Sequence, residues 1–170
     1  MYRRGNITVI AHPKTASKSL AQVLIDRGWQ KIGHHHDIRS PTGSVISVIR
    51  EPKDWYVSWY FHCGKPGPFN LWLKGFILNN DWSKKGFFGV PFTTHLIFYD
   101  RLSEGLSDAF KDLQESPIKL PILNHLGRNN RPADYFFDEA SIEMLDKAMV
   151  EEYSLLKEEL GDEPYLRLWC

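Results

Sequence analysis

Residues 11–20, Ala-His-Pro-Lys-Thr-Ala-Ser-Lys-Ser-Leu, gather two lysines and three hydroxyl side chains into one short stretch. The stretch follows the apolar run Ile7-Thr8-Val9-Ile10 and precedes Leu20-Ala21-Gln22-Val23-Leu24-Ile25. That order predicts a strand, a tight loop and an amphipathic helix. A helix start offers unpaired backbone N–H groups and the positive end of a dipole, so such a loop is suited to an anion. Lys14 and Lys18 would add charge around a phosphate, and Thr15, Ser17 and Ser19 would add hydroxyl donors, with Ala16 keeping the loop small. The expected ligand is a nucleotide.

The general phosphate loop G-x-x-x-x-G-K-[ST], laid over His12 to Ser19, puts its final Lys-Ser on Lys18-Ser19. His12 and Ser17 then occupy both glycine positions. Those glycines let a backbone fold around a triphosphate, so their absence counts against a nucleotide kinase or NTPase. The loop more closely resembles the 5′-phosphosulfate loop of the sulfotransferase family, Pro-Lys-[Ser/Thr]-[Gly/Ala]-[Ser/Thr]-[Ser/Thr]-[Ser/Trp]. Pro13-Lys14-Thr15-Ala16-Ser17 and Ser19 fit it, and Lys18 departs from it where a hydroxyl residue is usual.

A second segment carries the same resemblance. Val45-Ile46-Ser47-Val48-Ile49 is a β-branched run of the kind buried in parallel sheets, and it ends in Arg50-Glu51-Pro52. In the family's 3′-phosphate site, an Arg at a strand end is followed eight residues on by a helix-borne Ser. Arg50 and Ser58 have that spacing. A guanidinium can grip a terminal phosphate bidentately while the hydroxyl donates to the same oxygens. Further on, Thr94–Leu102 resembles the family's hydrophobic-Tyr-Glu-Asp-Leu segment. By carry-over Tyr99 lies beside adenine, although a half-buried aromatic at a strand end is an equal reading. The basic loop Asn124–Arg131 resembles the family's closing loop, which makes Arg128 and Arg131 candidates for a further 3′-phosphate contact. It is followed by Tyr135-Phe136-Phe137-Asp138-Glu139, similar to the family's last helix start.

The resemblance implies sulfuryl transfer from 3′-phosphoadenosine-5′-phosphosulfate (PAPS) to a hydroxyl of a small-molecule or carbohydrate acceptor, leaving the bisphosphate PAP. In that reading Lys14 stabilises charge on the bridging oxygen. The base is a histidine, which titrates near neutrality. The run His34-His35-His36 lies in the interval where the family carries it. On a strand His34 and His36 would share a face, which favours these two over His35. Such a pair can also bind zinc, but no further cluster has ligand spacing, and no metal is expected. A rival class is a non-catalytic nucleotide-binding module with the same fold.

The elements that must hold these residues alternate. Strands are expected at 7–11, near 30–34, and at 44–49 and 94–99. Helices are expected at 17–28, 53–63, near 69–79, and at 103–114 and 139–160. This pattern predicts an α/β domain over 1–170, with a mainly parallel sheet flanked by helices in three layers. The resemblance adds that the architecture is P-loop-like. Ligands of such sheets bind beyond the carboxyl ends of the strands, where Lys14, Arg50 and Tyr99 all fall. The aromatics from Trp55 to Phe98 can form either an acceptor wall or a core.

With 42% hydrophobic residues in 170, the chain can bury a core, and its formal net charge of zero argues against nucleic-acid binding by bulk attraction. No run has the length of a membrane span and no signal-peptide core precedes the first strand, so a cytoplasmic location is expected. Two cysteines, Cys63 and Cys170, make no disulfide framework.

Overall fold

The computed structural model describes residues 1–33, 43–79, 92–121 and 131–160, with the side chains of the last segment described to Val150 and at Ser154. The protein is a mixed α/β fold. Two compact units make up the chain: Met1–Arg50 with Phe87–Asn124, and Glu51–Gly86 with His125–Cys170.

The first unit holds β1 (Tyr2–Arg4), β2 (Ile7–Ala11), α1 (Ser17–Asp26), β3 (Gln30–Lys31), β4 (Ser44–Ile49), β5 (His95–Phe98) and α4 (Leu102–Asp112). Its five strands form one sheet in the order β3-β1-β2-β4-β5. The pairings β2–β4 and β4–β5 are parallel, with Val9 opposite Ile46 and Val48 opposite Ile97. The pairings β1–β2 and β1–β3 are antiparallel. The sheet is therefore mixed, and the expectation of a mainly parallel sheet describes only its β2-β4-β5 half. The unforeseen strand is β1, a short, arginine-bearing segment with little apolar pattern that lies between β2 and β3. It is joined to β2 by the two-residue turn Gly5-Asn6, in which Gly5 takes φ +55° as hairpin turns of this length require.

Period-2 alternation sorts the central strands into two buried faces. Val9, Ala11, Ile46, Val48 and Ile97 pack with Leu20 and Leu24 of α1 and Leu106, Ala109 and Phe110 of α4. Ile10, Val45 and Ile49 are buried on the opposite face. That double burial explains why β4 carries apolar residues on both faces, with only the buried Ser47 between Val45-Ile46 and Val48-Ile49. The close approach of α4 to β5 needs Gly105, because a Cβ there would lie 2.8 Å from Cγ2 of Ile97. The strand expected through residue 34 stops at Lys31, after pairing Gln30 and Lys31 with β1.

The second unit holds α2 (Pro52–His62), α3 (Phe69–Asn79), a 3₁₀ turn at Ala133–Phe136 and α5 (Glu139–Leu160). The α2 start has Pro52 in its first turn and Glu51 as its cap, and Asp138 caps α5 by accepting from the Ser141 N–H at 2.8 Å. Aromatic rings pack edge to face through this unit, as in Tyr60–Phe69 at 5.2 Å and Phe61–Phe136 at 5.5 Å. Trp55, Tyr56, Tyr60 and Phe69 are buried, so these aromatics form the core of the unit. No helix among the described residues is long and apolar enough to cross a membrane.

Candidate functional site

Directly after β2 the chain folds into a small closed loop. His12 is fully buried, and its carbonyl oxygen accepts from the Thr15 hydroxyl at 2.8 Å and from the Thr15 N–H at 3.4 Å. Thr15 is itself buried, so its hydroxyl proton closes the loop and does not point to a ligand. Lys14 and Ala16 take left-handed φ values of +66° and +58°, with Thr15 between them at negative φ. Alternating backbone handedness is the conformation of anion-binding nests, although the Thr15 N–H here is taken up by the His12 carbonyl. For residues with a Cβ this conformation costs about 1–2 kcal/mol each, and such strain collects at functional sites.

The α1 helix starts at Ser17, with Ala16 as its cap residue and no side-chain cap. The first-turn N–H groups therefore lack an intrahelical acceptor, and no acidic side chain lies in that turn. Lys14 and Ser17 are half-buried, Lys18 is exposed, and Ser19 is buried in the turn. The result is a helix start with uncapped first-turn N–H groups and with Lys14 and Lys18 next to it in the chain.

Arg50 is the first residue after β4, the parallel neighbour of β2. Its Nη1 donates to the Lys14 carbonyl oxygen at 2.7 Å, and its guanidinium carbon lies 4.2 Å from the centre of the Tyr99 ring. Tyr99 is the first residue after β5. Three adjacent parallel strands thus deliver Lys14, Arg50 and Tyr99 to one edge, where Arg50 touches both of the others. Strand-end placement is legible in the sequence. The guanidinium–carbonyl bond and the stacking of Tyr99 under Arg50 are not.

Ser58 belongs to the second unit, in the middle of α2, and is half-buried. His34, His36 and Arg128 lie outside the described residues. A group the sequence left in the background is Glu51. Its two carboxylate oxygens accept from the N–H groups of Lys53 at 2.9 Å and Asp54 at 2.6 Å. Burial nevertheless pushes its carboxyl up to about 7, against the pull of those two donors. Lys53 in the same unit pairs with Asp134 at 2.9 Å, which raises the lysine's pKa.

No protein-family model matches the sequence, and no curated protein matches it significantly.

Proposed function

We propose that the chain is a PAPS-dependent sulfotransferase with a P-loop-like, three-layer architecture. The observation that carries this reading is the left-handed pair Lys14 and Ala16 at the start of α1, tied through the Lys14 carbonyl to Arg50 at the end of the next parallel strand. The loop supplies main-chain N–H groups for the 5′-phosphosulfate. The guanidinium is of the chemical type that grips a terminal phosphate bidentately, as a 3′-phosphate needs.

In the reaction an acceptor hydroxyl oxygen attacks sulfur, a new S–O bond forms, and the bridging bond to phosphate breaks. The electron pair leaves with PAP. The ammonium of Lys14 balances charge growing on the bridging oxygen. The acceptor proton goes to a base, for which His34 or His36 is our candidate. Ser58 and Arg128 are assigned to the 3′-phosphate, and Tyr99 to the adenosine side through its stack with Arg50. Glycine is absent from both places where a triphosphate loop requires it, which disfavours the kinase reading.

Calorimetry on the full chain tests this. PAP should bind without metal, and ATP with magnesium should bind far more weakly. Absence of PAP binding, or a preference for ATP with magnesium, would overturn the proposal.

A further inference from the structure

A cavity of about 210 Å³ opens beside the loop, on the α1 face of the sheet. Tyr2 of β1, Ala11 at the end of β2, and Ala21 of α1 contribute its apolar lining. Ser17 and Lys18 of α1, Lys31 of β3, and Met1 and Gly33 complete the lining. The register puts Lys31 directly across from Tyr2, and Tyr2 across from Val9, so all three side chains stand on the face that α1 covers.

The position of this cavity along the sheet decides what could enter it. In the order β3-β1-β2-β4-β5, the loop follows β2, while Arg50 and Tyr99 follow β4 and β5 on one side of it. The cavity lies over β3, β1 and β2, on the other side. Displacement at a sulfuryl group brings the attacking and leaving oxygens roughly into line, as in phosphoryl transfer. A nucleotide extending from the loop toward Arg50 therefore puts its acceptor toward β1 and β3. Two lysines lining one small, partly apolar space favour a negatively charged group on an apolar stem.

We infer that this cavity is the acceptor subsite and that it selects an acceptor carrying an anionic group, a carboxylate or a sulfate, with Lys18 and Lys31 as its recognition pair. The inference rests on the sulfotransferase reading above, which sets the direction of approach.

The test uses the full chain with 4-hydroxybenzoate and its neutral isostere 4-hydroxybenzamide, followed by backbone amide NMR with and without saturating PAP. With PAP bound, the benzoate should shift the amides of Tyr2, Lys31 and Gly33. The benzamide should bind about tenfold more weakly. Lys31→Gln should remove that preference and Lys31→Glu should reverse it, while PAP affinity stays within about twofold of wild type. Circular dichroism checks that both variants are folded, as expected for an exposed edge position. Equal binding of the two probes, or no shift at those amides, overturns the inference. So does a Lys31→Gln variant that loses PAP affinity by the same factor, because the cavity would then serve the donor. If wild type fails to bind PAP, the sulfotransferase reading falls, and the benzoate titration without nucleotide still judges the cavity.

Discussion

Arg50 holds the main-chain oxygen of Lys14 at 2.7 Å, so the guanidinium at the end of β4 fixes the backbone of the loop that follows β2. One side chain thereby links two strand ends. It also stabilises a left-handed residue that would otherwise relax, since Lys14 sits at φ +66°. The Tyr99 ring beneath the guanidinium keeps that side chain in place.

Arg50→Ala should weaken PAP binding by about 2–4 kcal/mol, through loss of a charge-assisted contact and loosening of the Lys14 carbonyl. Arg50→Lys should recover only part, because an ammonium cannot replace the planar fork over Tyr99. Ser58→Ala should cost about 0.5–1.5 kcal/mol, as for one neutral donor. Calorimetry on folded variants measures all three. Wild-type affinity in both alanine variants would remove the 3′-phosphate assignment.

Lys14→Ala should lower turnover by about 10² or more, with a smaller effect on PAP affinity, because its charge acts where the leaving oxygen develops charge. Steady-state rates with a working acceptor give the comparison. Were Lys18→Ala to abolish both turnover and nucleotide binding while Lys14→Ala left them intact, the loop would be acting in the triphosphate-loop register.

Ala16→Gly tests the backbone geometry directly. Glycine adopts φ +58° without the Cβ penalty, so the variant should be more stable by up to about 1 kcal/mol after its extra unfolded-state entropy is counted. Its PAP affinity should be retained. A loss of more than about 1 kcal/mol in chemical denaturation would contradict a left-handed residue at this position.

Glu51 should make stability depend on pH. Its folded carboxyl titrates at about 7 against an ordinary 4.5, so between those values the folded chain holds a proton that the unfolded chain has released. Its contribution is fully present below about 4.5 and is lost as pH rises through about 7. Urea denaturation at pH 4.5, 6 and 8 should show wild type losing about 1–3 kcal/mol across this window relative to Glu51→Gln. Parallel curves for the two proteins would show that Glu51 titrates normally.

Local chemistry alone determined several elements of this protein. The run Val45–Ile49 gives β4 and the pattern of residues 17–26 gives α1. The Asp138 cap before a long amphipathic stretch gives α5, because capping and periodicity act between neighbours in the chain. The hydroxyl-rich loop between a strand and a helix is legible for the same reason. Tertiary structure decided what depends on partners far away in sequence. Tyr2–Arg4 is a strand because β2 and β3 pair with it, not because of its own composition. The Thr15 hydroxyl, expected to face a phosphate, turns back to the His12 oxygen. The aromatics of α2 and α3 pack on one another, as in Tyr60–Phe69 and Trp72–Phe76, because the fold brings the two helices together. Arg50, Lys14 and Tyr99 meet only because β2, β4 and β5 lie side by side in parallel, and no local pattern encodes which strands become neighbours.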